Sequence, residues 1–124
     1  MTRIVVILIF CISCLSGAAA AETSEQAYQK ARDSYYALKD SSRKQMYREN
    51  WEKVISQFSD VHKRFPKTRR GADALFMCGK TTSGLYSISL VAKDAERAVE
   101  YFTRMAEIYP QSSLSDDALF QSGQ

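Results

Sequence analysis

Two stretches of this 124-residue chain, residues 65–80 and 109–124, are copies of one segment offset by 44 positions. The first reads FPKTRRGADALFMCGK and the second YPQSSLSDDALFQSGQ. Pro66 falls on Pro110, Asp73 on Asp117, Ala74-Leu75-Phe76 on Ala118-Leu119-Phe120, and Gly79 on Gly123. Upstream, Ile55 falls on Val99, Phe58 on Phe102 and Val61 on Met105. A unit of this period cannot bury its apolar face alone. It must stack on its neighbours, and the resulting array offers long faces for binding rather than a closed catalytic pocket. The second copy stops with Gln124, about a dozen residues into its helix, which would leave Ala118-Leu119-Phe120 uncovered. We therefore expect the sequence to be truncated at its C-terminus.

The apolar spacing is helical throughout, and no run alternates as a strand would. Thr23-Ser24-Glu25-Gln26 reads as a capping box opening a helix over about Ser24 to Lys39, with Tyr28, Ala31, Tyr35 and Leu38 as its stripe. Ser42-Arg43-Lys44-Gln45 reads as a second box, opening a helix that runs to Phe65. Tyr47, Trp51, Val54, Ile55, Phe58, Val61 and Phe65 form its buried face, and Pro66 ends it. A third helix is expected over about Gly71 to Leu90, striped by Leu75, Cys78, Thr82, Leu85 and Tyr86. Asp94 should cap the fourth, whose stripe is Ala95, Ala98, Val99, Phe102, Met105, Ala106 and Tyr109 before Pro110. A fifth begins after Ser112 or Ser113. The expectation is an all-α chain of antiparallel hairpins, at about 24–65 and 71–109, with the start of a third at 112–124.

Met1-Thr2-Arg3, the apolar run Ile4–Leu15 and the alanines Ala18 to Ala21 make the three regions of a secretory signal, with cleavage at Ala21–Glu22. The twelve apolar residues would rise about 18 Å as a helix, short of the roughly 30 Å hydrocarbon core, so an anchor is not expected. Neither Cys11 nor Cys14 has the neighbours that a lipid-modified cysteine needs. The mature chain, residues 22–124, then keeps only Cys78, excluding an internal disulfide and a cysteine metal cluster. Charge is uneven along it. Residues 43–80 hold ten Lys/Arg against four Asp/Glu, a net of +6, and residues 81–124 hold three against six, a net of −3. The densest part, His62-Lys63-Arg64 with Lys67, Arg69 and Arg70, suits an anionic partner. It equally suits a solvated helix end whose cations oppose the helix dipole.

Ala98-x3-Phe102 followed by Pro110 resembles the second helix of a tetratricopeptide repeat, and Leu75 to Gly79 resembles the turn of its first helix. The period exceeds the 34-residue norm by three residues between Pro66 and Leu75 and seven between Gly79 and Ala98. The resemblance implies a short tetratricopeptide-like solenoid whose repeat core includes Phe58, Leu75, Gly79, Ala98, Phe102 and Pro110. The run from Tyr28 to Phe58, followed by HKRFP, ADALF, GLY and AERAVE, is similar to the leader region of certain Gram-negative N-acetylmuramoyl-L-alanine amidases. That resemblance implies the non-catalytic front of a periplasmic cell-wall enzyme, with an envelope protein or peptidoglycan-linked partner.

No catalytic constellation is expected in these residues. A zinc amidase centre needs two histidines and a glutamate, and His62 is the single histidine. His62, beside Lys63-Arg64, is expected on the surface. There is no phosphate-binding glycine loop, and no cofactor is implied. Basic residues near Tyr47 and Trp51 do not make a nucleic-acid site, because those aromatics fall on the buried stripe. Tyr36 points away from the core direction taken by Tyr35, so Tyr36, Lys67, Arg69 and Arg70 are the candidate partner contacts. The expected function is an interaction module that localises or regulates cell-wall hydrolysis. The alternative is a free-standing scaffold of outer-membrane assembly or cell-division machinery.

Overall fold

Residues 20–123 are described by the structure, a computed structural model; the expected signal segment lies outside them except for Ala20 and Ala21. Among the described residues six helices follow in order: α1 (Ser24–Lys39), α2 (Ser42–Gln45), α3 (Arg48–Arg64), α4 (Arg69–Ser89), α5 (Ala92–Ile108) and α6 (Ser115–Ser122). No strand occurs among the described residues. The fold is all-α.

At the start of α1 the capping box is complete. Thr23 Oγ1 accepts from the Gln26 amide at 3.1 Å, and the Gln26 side chain accepts from the Thr23 amide at 3.0 Å. The buried stripe of α1 comprises Ala27, Tyr28, Ala31, Tyr35 and Leu38. The single helix expected from Ser42 to Phe65 is instead two. Ser41, not Ser42, is the cap, its hydroxyl accepting from the Lys44 amide at 3.2 Å. The chain then breaks at Met46–Tyr47, and Tyr47 is exposed. Side chains cause the break. The Trp51 indole donates to the Gln45 carbonyl at 2.8 Å and Asn50 donates to the Lys44 carbonyl at 2.9 Å, taking acceptors that a continuing helix would offer to its own amides. The Gln45 side chain in turn donates to the Leu38 and Lys39 carbonyls, so α2 closes off the end of α1.

Helices α3 and α5 are both 17 residues long and begin and end 44 positions apart. Their ends match in backbone conformation: Phe65 lies at φ −128°, ψ 52° and Tyr109 at φ −122°, ψ 56°. Each closes its helix by donating its amide four residues back, to Val61 and to Met105. Pro66 and Pro110 follow, where no further amide is needed.

Between them, α4 starts at Arg69, two residues before the expected Gly71, because Thr68 caps it through the Gly71 amide at 3.0 Å. Its 21 residues end at Ser89, and Leu90 after it takes the left-handed conformation at φ 54°. Only Leu90 and Val91 connect α4 to α5, and so short a reversal needs that conformation even without glycine. Asp94 does not cap α5; Val91 occupies that position without a side-chain bond, and Asp94 lies inside the first turn. At α6 the capping position is held by Leu114, whose amide donates to Ser112 Oγ at 3.2 Å.

Packing runs through α4. It lies against α3 and α1 on one side and α5 on the other; α1 also packs on α3, and α6 on α5. One apolar cluster joins α1 and α3 to Ala74, Cys78 and Leu85 of α4. A second joins Ala72, Leu75 and Phe76 of α4 to Ala98, Phe102 and Met105 of α5 and Ala118 of α6. Two glycines let α4 come close on both sides. A Cβ on Gly84 would sit 2.5 Å from the Trp51 ring, and one on Gly79 would sit 2.7 Å from Phe102. Tyr86 and Val99, expected in the stripes, are exposed; they flank a groove beside Gln121 that the eight residues of α6 leave open.

Candidate functional site

A cleft of about 530 Å³ opens where the N-terminus of α4 meets the turn between α5 and α6. Ala72, Ile108, Tyr109 and Pro110 give it an apolar wall, and Lys67, Arg69, Thr68, Ser112 and Ser113 give it a polar rim. The two proline-bearing turns place these residues. Tyr109 ties the turns together: its hydroxyl donates to the Pro66 carbonyl at 2.6 Å. His62 Nδ1 lies 3.0 Å from the same oxygen.

His62 is thus a buried residue of the joint between α3 and the α5 end, not the surface residue expected. Sequence context misled because Lys63 and Arg64 are indeed exposed, while His62 is one helical step round and beneath the Tyr109 ring. Burial, and then the nearby Arg104 charge, push its pKa below the ordinary histidine value, with the Gly71 backbone acting in the opposite direction.

The four candidate contact residues do not form one site. Lys67 and Arg69 line the cleft rim, are exposed and enter no ion pair among the described residues. Arg70 is occupied: it donates to both Glu25 oxygens at 2.6 and 3.0 Å and to Asp73 at 3.1 Å, and lies 4.3 Å from the Tyr28 ring centroid. These bonds raise its own pKa, and with Gln29 they hold the Glu25 carboxyl down to about 2. Arg70 is a strut between α1 and α4. Tyr36 is half-exposed near the other end of α1, edge-on to Tyr35 and 5.4 Å from the Arg32 guanidinium. Eleven residues of helix separate it from Glu25, about 16 Å.

Of the repeat-core residues, Phe58, Leu75, Gly79, Ala98 and Phe102 are buried. Pro110 is exposed and acts at the helix end rather than in the core. An ionic cluster between hairpins has no counterpart in the sequence reading. Arg48 donates to both oxygens of the buried Asp94 at 3.0 and 2.6 Å, Ser89 donates to it at 2.7 Å, and Arg97 reaches Glu52 at 2.7 and 3.0 Å. Asp94 is held down to about 2, by the Arg48 bonds first.

Chemically the cleft offers cations, hydroxyls and an apolar wall. Its hydroxyls are used locally: Thr68 donates to the Phe65 carbonyl at 2.7 Å and Ser112 accepts from Leu114. The imidazole that could activate one is held by Tyr109. Cys78 is buried with its thiol pushed up to about 12, unsuited to act as a nucleophile. Among the described residues no three His, Cys, Asp or Glu side chains are grouped to hold a metal ion, and His62 alone does not fit a zinc amidase centre. No helix among them is long and apolar enough to cross a membrane. Compared with protein-family models, with curated proteins and with solved structures, the chain matches none.

Proposed function

We propose that residues 22–124 act as a tetratricopeptide-like interaction module of the Gram-negative periplasm, exported by the N-terminal signal. On this reading the module resembles the non-catalytic front of an N-acetylmuramoyl-L-alanine amidase and localises or regulates cell-wall hydrolysis. It uses no cofactor of its own. The observation that carries the reading is the equivalence of α3 and α5: same length, same terminal conformation, and Phe58 and Phe102 in matching slots at 0% and 1% exposure. Such an equivalence is what a stacked array would produce, and stacked arrays recognise partners along their faces. The cleft rimmed by Lys67 and Arg69 is the natural contact for an anionic group on an envelope protein or on peptidoglycan.

Two measurements test it. Purified protein incubated with peptidoglycan sacculi, with and without zinc, is expected to release no muropeptides; release would overturn the non-enzymatic reading. Reading the coding sequence past codon 124 separates the two classes. An in-frame zinc-amidase domain supports the amidase reading, and a stop after one or two further helices favours the free-standing scaffold.

A further inference from the structure

Helices α3 and α5 both pack on α4, and side chains stitch them to each other near both ends. At the N-terminal end Arg48 bonds Asp94, and one turn further Arg97 bonds Glu52. At the C-terminal end the Tyr109 hydroxyl meets His62. Between these stitches a groove of about 310 Å³ stays open, lined by Ser56, Ser59 and Lys63 from α3 and by Tyr101 from α5. Every residue that lines it lies between positions 52 and 101. Its size is at the small end of the range for ligand pockets, room for one compact molecule.

Where the seam is stitched by charge, a cation meets an acid. In the open stretch that pattern fails. One turn beyond Tyr101 on α5 stands Arg104, and one turn beyond Ser59 on α3 stands Lys63, so both walls end in a cation. Both are exposed, and neither enters an ion pair among the described residues. They share one end of the groove, since both charges act on His62 and on the Cys78 thiol. The acids nearby are held by other cations, Glu52 by Arg97 and Asp60 by Arg64. Glu107, one turn past Arg104, is exposed and pairs with neither cation. Two like charges are thus left for an anion from outside to bridge, as the chain's own acids do at the other end.

We propose that the groove between α3 and α5 binds an acidic monosaccharide unit, its anionic group held between Lys63 and Arg104. The lining suits the rest of a sugar. Ser56 and Ser59 bring hydroxyls that both donate and accept, and the carboxylates of Glu52 and Asp60 accept from sugar hydroxyls. Tyr101 supplies an apolar ring with a polar tip. The chemistry recognised is an oxyanion on a polyol, whether a carboxylate or a phosphate. The inference rests on charge complementarity within the seam, and stands or falls separately from the cellular role above and from the cleft at Lys67 and Arg69.

The test titrates isotope-labelled protein, at constant ionic strength, with glucuronate, glucose-6-phosphate, glucose and inorganic phosphate, reading amide shifts by NMR. Saturable shifts centred on Ser56, Ser59 and Tyr101 are expected with at least one of the two acidic sugars. Preference for glucuronate assigns a sugar carboxylate, and preference for glucose-6-phosphate assigns a sugar phosphate. Glucose and inorganic phosphate, each holding half of the chemistry, should bind more weakly than the preferred acidic sugar. Lys63→Gln with Arg104→Gln should weaken that binding about tenfold or more, the loss of two charge-assisted bonds. Ser56→Ala with Ser59→Ala should weaken the sugar but not inorganic phosphate, and carries the test should the glutamine variant fold poorly. No saturable shift with either acidic sugar overturns the proposal. So does equal binding of glucose or of inorganic phosphate, wild-type affinity in both double variants, or shifts centred on Lys67 and Arg69 instead.

Discussion

The Phe102 ring lies against the backbone of Gly79, so close that a Cβ there would sit 2.7 Å from ring carbon Cε1. Glycine is required by this contact and not by turn geometry, because Gly79 is in the interior of α4. Gly79→Ala should therefore destabilise the protein by about 1–3 kcal/mol in urea unfolding, through overpacking. That outweighs the roughly 1 kcal/mol by which alanine is the better helix former. At Gly123, one repeat later, a Cβ makes only ordinary contact with the Phe120 and Leu119 carbonyls, at 3.5 and 3.8 Å, so Gly123→Ala should leave the midpoint unchanged or slightly raised. Equal losses at the two positions would mean that α6 does not present the notch that α4 presents.

The Arg48–Asp94 pair joins two hairpins and is asymmetric: the Asp94 side chain is 4% exposed and the Arg48 side chain 44%. Removing the cation strands a buried carboxylate, whereas removing the carboxylate leaves a guanidinium that water can reach. Arg48→Ala should therefore lower the melting point more than Asp94→Ala does. The Asp94 pKa is depressed, so its contribution is present above the unfolded carboxylate value and is lost as pH falls toward about 2. The reverse order of costs would mean that Ser89 and Arg97 compensate the Asp94 carboxylate without Arg48, so that the pair is not what holds it.

Where a helix was legible in the sequence, the apolar period and a local capping bond agreed. Thr23 with Gln26 and the two proline stops are of that kind. The break at Met46–Tyr47 was not legible, because it depends on where the Asn50 and Trp51 side chains send their donors after folding. The exposure of Val99 and Tyr86 follows from what lies beside α5, which a stripe on one helix does not report. Arg70 read as a free cation because its partner, Glu25, is 45 residues away. A signal for that pairing did exist. In a 44-residue repeat, neighbouring units face each other at about that separation, and Glu25–Arg70, Glu52–Arg97 and Arg48–Asp94 all fall at 45 or 46 with opposite charges.

His62 makes the fold sensitive to mild acid. Its folded pKa is depressed by burial and by Arg104, so between that value and the unfolded one, near 6.5, the unfolded chain binds the extra proton. Stability should be fully present above about pH 6.5, decline as pH falls from there to the folded pKa, and level off below it. This window lies well above that of Asp94. Thermal melts from neutral pH down to the acid side should show the decline, and His62→Gln should flatten it. A wild-type profile flat through this range would mean that the imidazolium is accommodated beside Tyr109.

Charge at the cleft should be separable from charge in the fold. Lys67 and Arg69 are exposed on the rim and make no ion pair among the described residues, so Lys67→Glu with Arg69→Glu should leave the melting point nearly unchanged. Arg70→Glu is a different experiment, because it sets a carboxylate against Glu25 and Asp73 and removes the cover over Tyr28; it should lower the melting point. If the rim recognises an anion, an acidic probe such as a short polyglutamate peptide should bind the wild type. That binding should weaken as salt shortens the Debye length below about 10 Å. The Lys67, Arg69 variant should then lose binding without losing stability. Binding that survives both the salt and the reversal would move the contact away from this cleft and toward the Tyr36 face of α1.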